Sequence, residues 1–179
     1  MSQTKVITGK VRFSYANVFE AKAIEEGQKP KFSVSLLIDK NTKAGKATIK
    51  KIEDAVKAAL EEGKAKFGGK IPPTWKNPLR DGDEERPDDE NYEGMMFVNA
   101  NSDRRPGLVD EDLNAIIDPE DFYSGCYGRA SVNFYAFNVS GNKGIACGLN
   151  NLQKLEDGER LSGGASAEDD FGDDSDELM

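Results

Sequence analysis

The run SGCYGRASVNFYAFNVSG, residues 124–141, alternates with a period of two. Ala130, Val132, Phe134 and Ala136 fall on one face, and Arg129, Ser131, Asn133, Tyr135 and Phe137 on the other. A regular alternation of this length excludes an amphipathic helix and specifies a long strand with one apolar face. A tight GN turn and a second extended run, KGIACGLNNLQKL, follow directly, so the two runs predict a hairpin. A lone hairpin is marginal in water, so the remaining chain must supply further strands to cover the apolar face.

It supplies them. TGKVRFSYANVF predicts a strand with Val11, Phe13 and Tyr15 on one face and Lys10, Arg12 and Ser14 on the other. KFSVSLLID predicts a second, turning Phe32, Val34, Leu36 and Ile38 inward and Lys31, Ser33 and Ser35 outward. MMFVNAN and RRPGLVD read as shorter extended pieces, and Asp118 with Pro119 as the cap and first residue of a brief helical turn. One helix is expected, where Ile49, Ile52, Val56, Ala59 and Leu60 recur at three- and four-residue spacing before Gly63. Residues 68–94 show almost no period and read as a long loop of the kind that is functional or disordered. The expected class is mainly β: an OB-fold-like antiparallel barrel of five to six strands with one packing α-helix, long loops and a disordered acidic C-terminal tail. A sandwich of similar strand count fits the same periods.

Charge divides the chain further. Residues 1–76 hold 16 basic and 8 acidic side chains, residues 77–155 hold 7 and 15, and residues 156–179 hold 1 and 10. The body is therefore neutral with a basic half, and the net charge of −9 resides in the C-terminal stretch. The expected division is a folded domain over 1–155 and a flexible linker with an acidic tail over 156–179. Seven carboxylates, Glu168, Asp169, Asp170, Asp173, Asp174, Asp176 and Glu177, surround a single aromatic, Phe171, in that tail. A run of this composition cannot build a core.

Several function classes lose their chemistry at once. With no histidine, the Ser-His-Asp and Cys-His arrangements are unavailable. The glycine runs lack phosphate-loop spacing. The acidic stretch from Asp81 has Arg86 where a calcium loop needs glycine. Cys126 and Cys147 read as reduced core thiols. No metal, cofactor or enzymatic activity is expected, and no apolar run approaches the ~20 residues that span a bilayer. MSQTKVITGK lacks the apolar core of a signal peptide, so the expected location is the cytoplasm.

What remains is a binding surface. Tyr135 and Phe137 share a strand face with Arg129, and rings beside cations suit single-stranded nucleic acid, bases stacking while cations meet phosphates. Trp75, Lys76, Arg80, Arg104 and Arg105 lie on loops able to reach a barrel mouth, and Arg12 and Lys31 on exposed strand faces. Each has a plainer reading. The aromatics could lie under the helix or the long loop, Trp75 could anchor that loop, and the arginine pair could be a solvated turn.

Taken together, GKVRFSYANVFEAK, PLRDGDE, NANS, YSGCYGRASVNFYAFN, GNKGIACGLNNLQKL and the terminal AEDDF resemble the single-stranded-DNA-binding proteins of tailed bacteriophages, a family once known only as a domain of unknown function. The resemblance covers nearly the whole chain and is most specific in its second half. It implies an OB fold, sequence-independent single-stranded DNA binding, a role in phage DNA replication or recombination, and residence in the infected host's cytoplasm. The partners expected are single-stranded DNA, replication or recombination proteins recruited through the tail, and a second copy of the chain in a homodimer. The competing readings are a protein–protein adaptor without DNA binding and a metal-dependent nuclease built on the acidic loop around Asp88.

Overall fold

The long hairpin organises the chain. In a computed structural model, which describes residues 4–23, 27 and 29–161, the strands β1 (Lys5–Ile7), β2 (Val11–Lys22) and β3 (Lys31–Asp39) precede helix α1 (Lys43–Glu62). After it come β4 (Leu79–Asp81), a short helix α2 (Gly82–Glu85), β5 (Met95–Ser102), β6 (Gly107–Val109), β7 (Tyr127–Val139) and β8 (Asn142–Glu156). β7 and β8 pair antiparallel from Tyr127 and Glu156 up to Val139 and Asn142. Ser140 (φ 52°) and Gly141 (φ 84°) form the turn, one residue earlier than the GN pair predicts. Positive φ at both central positions twists the connection to match the strands.

The sheet then closes on itself. β7 pairs with β2, β2 with β3, β3 with β5, β5 with β8, and β8 with β7 again, all antiparallel except β5–β8. This ring of five strands is the expected OB-like barrel. The short strands β1, β4 and β6 add to β7, β5 and β8 respectively. Phe13, Leu36, Ile38, Val98, Val132, Phe134 and Leu152 fill the interior. Cys126 and Cys147 lie among them as free thiols, and burial raises both thiol pKa values above the usual range, leaving them inert.

Helix α1 starts where Thr42 accepts a hydrogen bond from the Gly45 amide (3.0 Å) and stops at Gly63. Ile52, Ala55, Val56, Ala59 and Leu60 form its buried stripe, while its lysines stay in solvent. Gly63 is required by contact: a Cβ there would collide with Ala136 of β7. Among the described residues no helix is long and apolar enough to cross a membrane.

Three expectations change. Ser14 is buried and Tyr15 is 44% exposed, the reverse of simple alternation. A bulge between Ser14 and Asn17 inserts one extra residue into β2, which turns Tyr15 outward with a left-handed backbone (φ 48°). The stretch 68–94 is not bare loop. β4 and α2 lie within it, and their acids serve local ends: Asp81 caps α2 through the Asp83 amide, and Asp89 caps the next turn through Asn91. Finally, β8 runs to Glu156, and residues 157–161 lie on the barrel as a strap. Arg12 donates to the Glu159 carbonyl (2.8 Å), Tyr123 to Asp157 (2.9 Å), and the Leu161 amide to the Ser124 carbonyl (2.9 Å). Leu161 covers the small cluster of Leu37, Tyr92 and Phe97. The expectations placed on Glu168 to Glu177, Phe171 included, lie outside the described residues.

Candidate nucleic-acid interface

Alternation puts one face of each barrel strand in the core and offers the other to solvent. On β3 and β5 that second face is only partly open. Leu37 and Phe97 form a buried cluster with Tyr92. Beyond them the positions are polar and matched in register, Ser33 opposite Asn101 and Ser35, buried against the Tyr92 hydroxyl, opposite Asn99. Asn17 of β2 stands opposite Ser33 on the other side. The open part of this face, at Asn17, Ser33, Asn99 and Asn101, thus carries a hydroxyl and carboxamides where a closed protein surface would carry lysine and glutamate.

Two open grooves meet on this floor, both lined by Asn99 and Asn101. The larger, about 860 Å³, runs toward Lys76, Arg80, Phe137 and Ala146. The smaller, about 370 Å³, runs toward Tyr15, Lys22, Ser33 and Arg86. An aromatic side chain therefore stands at either end of the polar floor, Tyr15 from β2 and Phe137 from β7. Tyr135 lies beside them at 41% exposure, its ring within reach of Gly148, which pairs with Asn101. Partial burial raises the pKa of its hydroxyl above the usual value, so the ring stays neutral.

The cations sort by what holds them. Arg86 has its guanidinium over Tyr92 (4.9 Å), Tyr15 (5.5 Å) and Phe97 (5.6 Å), and among the described residues it forms no ion pair. Lys22 and Lys31 sit directly opposite each other across β2 and β3. Like charges in that register repel, and a phosphate between them would relieve the repulsion. Arg80 is engaged by Glu85 through both carboxylate oxygens (2.8 and 2.9 Å), and lies over Phe97 (5.2 Å). With Asp81, Glu84 and Glu85 on the same side, that wall of the larger groove is hostile to phosphate.

Of the residues singled out from sequence, Lys76, Arg80 and Phe137 line one groove, Tyr135 adjoins it, and Lys31 stands beyond Lys22 at the other end. Lys76 is fixed by its backbone, which exchanges hydrogen bonds with Lys143 and Ile145 (3.0 Å each). Trp75 packs half-buried against the core, which is its anchoring role. Arg105 lies over Phe19 (5.4 Å) and Arg104 is exposed beside it, outside both grooves. Arg129 donates to the Thr8 carbonyl (3.0 Å), eight residues along β7 from Phe137, or roughly 26 Å of strand. Arg12 is committed to the strap and to the Gly125 carbonyl (3.1 Å). Sequence reasoning missed Tyr15, Lys22, Arg86, Asn99 and Asn101. A signal for Tyr15 lay in the apolar residues Phe13 and Val18, which stand five apart and so break the period-two alternation that puts Tyr15 on the core face.

A closed five-stranded ring whose outer face carries an open polar groove edged by aromatics and cations defines an OB-type, single-strand-binding class of protein. The chain belongs to the family described as the single-stranded-DNA-binding protein of Enterobacter phage Enc34, whose model matches residues 4–179. Protein p50 of Acyrthosiphon pisum secondary endosymbiont phage 1 is 28% identical, over 91% of this chain and 89% of that one. The Enc34 protein solved in complex with single-stranded DNA is similar in fold, with a TM-score of 0.77 at 24% identity, over 89% of this chain and 90% of that one. The single-stranded DNA-binding protein gp2.5 of bacteriophage T7 is also similar, at a TM-score of 0.61 and 13% identity, over 94% and 93% of the two chains.

Proposed function

We propose that this protein binds and coats single-stranded DNA without sequence preference during phage DNA replication or recombination, as a non-enzymatic component in the host cytoplasm. The observation that carries the reading is the groove whose polar floor lies between Tyr15 and Phe137, with Arg86 and Lys22 at its rim. Rings hold bases through their faces, which every base possesses, and cations neutralise phosphates. Neither contact depends on sequence. Membership of the Enc34 family supports the same reading.

The acidic tail completes it. Leu161, the last described residue, rests against Tyr92 and Phe97, and Arg86 lies over both rings. A tethered polyanion starting there has a high effective concentration at the groove rim and competes with DNA. DNA then displaces it, freeing Phe171 and its flanking carboxylates for replication proteins. A fluorescence titration with oligo(dT) from ~50 to ~300 mM salt tests the binding: affinity should fall steeply as counterions are released. No binding at the low-salt end would sink the proposal. Light scattering in the same buffers reports whether the chain pairs as the expected homodimer.

A further inference from the structure

The floor of the groove holds carboxamides and hydroxyls but no cation, and those groups match base edges better than phosphates. Asn99 and Asn101 point outward from consecutive outer positions of β5, and among the described residues neither side chain makes a hydrogen bond. Their neighbours are already engaged. Ser35 accepts from the Tyr92 hydroxyl (3.3 Å), and Asn17 reaches toward Ser33 (3.5 Å). The groove therefore presents two unengaged carboxamides, each with a donor and an acceptor, between the rings of Tyr15 and Phe137.

Charge sets which side of a nucleotide strand faces them. Lys22 and Arg86 stand at the rim of the smaller groove, whereas in the larger the acids Asp81, Glu84 and Glu85 outnumber Lys76 and Arg80, and Arg80 is already paired with Glu85. A sugar-phosphate backbone following the cations and avoiding the acids stays at the rim and turns its bases inward. A base stacked on Tyr15 or Phe137 then directs its hydrogen-bonding edge across the floor.

Resting on the DNA-binding reading above, we infer that Asn99 and Asn101 hydrogen-bond the Watson–Crick edges of bound bases. A carboxamide can rotate to place its donor and acceptor against any of the four edges, so these contacts add affinity without imposing a sequence. The two residues distinguish a free base edge from a blocked one.

The test uses the full chain and two oligonucleotides of equal length and charge, oligo(dT) and its N3-methylthymine counterpart. The methyl group removes the N3–H donor and leaves the ring face and the phosphates in place. Wild type should bind oligo(dT) at least roughly fivefold more tightly than the methylated strand. Asn99→Ala with Asn101→Ala should bind the two alike. Tyr15→Ala should weaken both and keep their ratio, which separates stacking from edge recognition. Equal binding by wild type overturns the inference, as does a ratio that survives the double substitution. Binding without discrimination overturns this inference alone, whereas no oligo(dT) binding at low salt overturns the DNA-binding reading with it.

Discussion

Arg86 holds its guanidinium 5.5 Å from the ring centroid of Tyr15, a side chain that reaches the groove only because its backbone is left-handed (φ 48°). That backbone costs a non-glycine residue about 1–2 kcal/mol. The bulge, the strain and the exposed ring coincide at one position, which is where a binding surface would spend stability on placement.

Tyr15 should therefore trade affinity against stability. Tyr15→Ala removes one stacking platform and should weaken oligo(dT) binding by about 1–3 kcal/mol, while Tyr15→Phe retains it. Tyr15→Gly should bind as weakly as the alanine variant but melt at a higher temperature, since glycine accepts the left-handed backbone without cost. Equal melting of the two variants would show that the bulge is unstrained.

Arg86 and Arg12 should separate cleanly in salt titrations. Arg86→Gln removes a cation at the groove rim, so the slope of log affinity against log salt should become shallower by about 0.7. Arg12→Gln should leave the slope unchanged and lower the melting temperature, because its hydrogen bonds run to the carbonyls of Gly125 and Glu159. A change of slope in the Arg12 variant would place DNA on the strap side of the barrel.

Lys40 ties the acidic segment to the start of α1, donating to Asp81 and to Asp83 (2.8 Å to the latter). These hydrogen bonds hold both carboxyl pKa values below their ordinary 3.8. Carboxyls depressed by folding stabilise the native state above the unfolded value, and that contribution is lost as pH falls from there through the folded values. Lys40, whose pKa is raised above 10.5, stabilises below that value and stops doing so as pH climbs through its folded pKa. Lys40→Met should therefore flatten the dependence of melting temperature on pH below about 4. Added salt should shrink the difference between wild type and variant, because Asp83 is exposed and Lys40 and Asp81 are partly open to solvent.

Local pattern made the barrel legible. The β7–β8 hairpin, the inward residues of β3 and the helix with its Gly63 stop all announce themselves by period, because each buries one regular face. Of the candidate groove, Tyr135 and Phe137 were legible because they share that regularity, and Lys76 and Arg80 because cations stand out on a long loop. Tyr15 escaped because a single extra residue reversed its parity. Arg86 escaped because it lies in an acidic stretch, and its position over three rings depends on how β4 and α2 fold back across β5. Arg12 and Arg129 looked available because a strand pattern shows which face a side chain leaves from and nothing of the carbonyl it then meets.

The strap decides where the tail can be removed without harm. A chain ending after Leu161 keeps the hydrogen bonds from Arg12 and Tyr123 and the cover over Leu37, Tyr92 and Phe97. It should melt like the full chain and bind oligo(dT) more tightly at low salt, since the competing carboxylates are gone. A chain ending after Leu155 also loses Glu156, the partner of Lys10, and uncovers the rings beneath Arg86. It should lose roughly 2 kcal/mol of stability through the exposed apolar surface and broken hydrogen bonds. Its affinity should rise less than that of the longer truncation, because the rim that carries Arg86 is no longer held. Denaturant melts and oligo(dT) titrations on the two chains separate these effects. If the chain ending after Leu161 binds DNA no more tightly than the full protein, the tail does not compete for the groove.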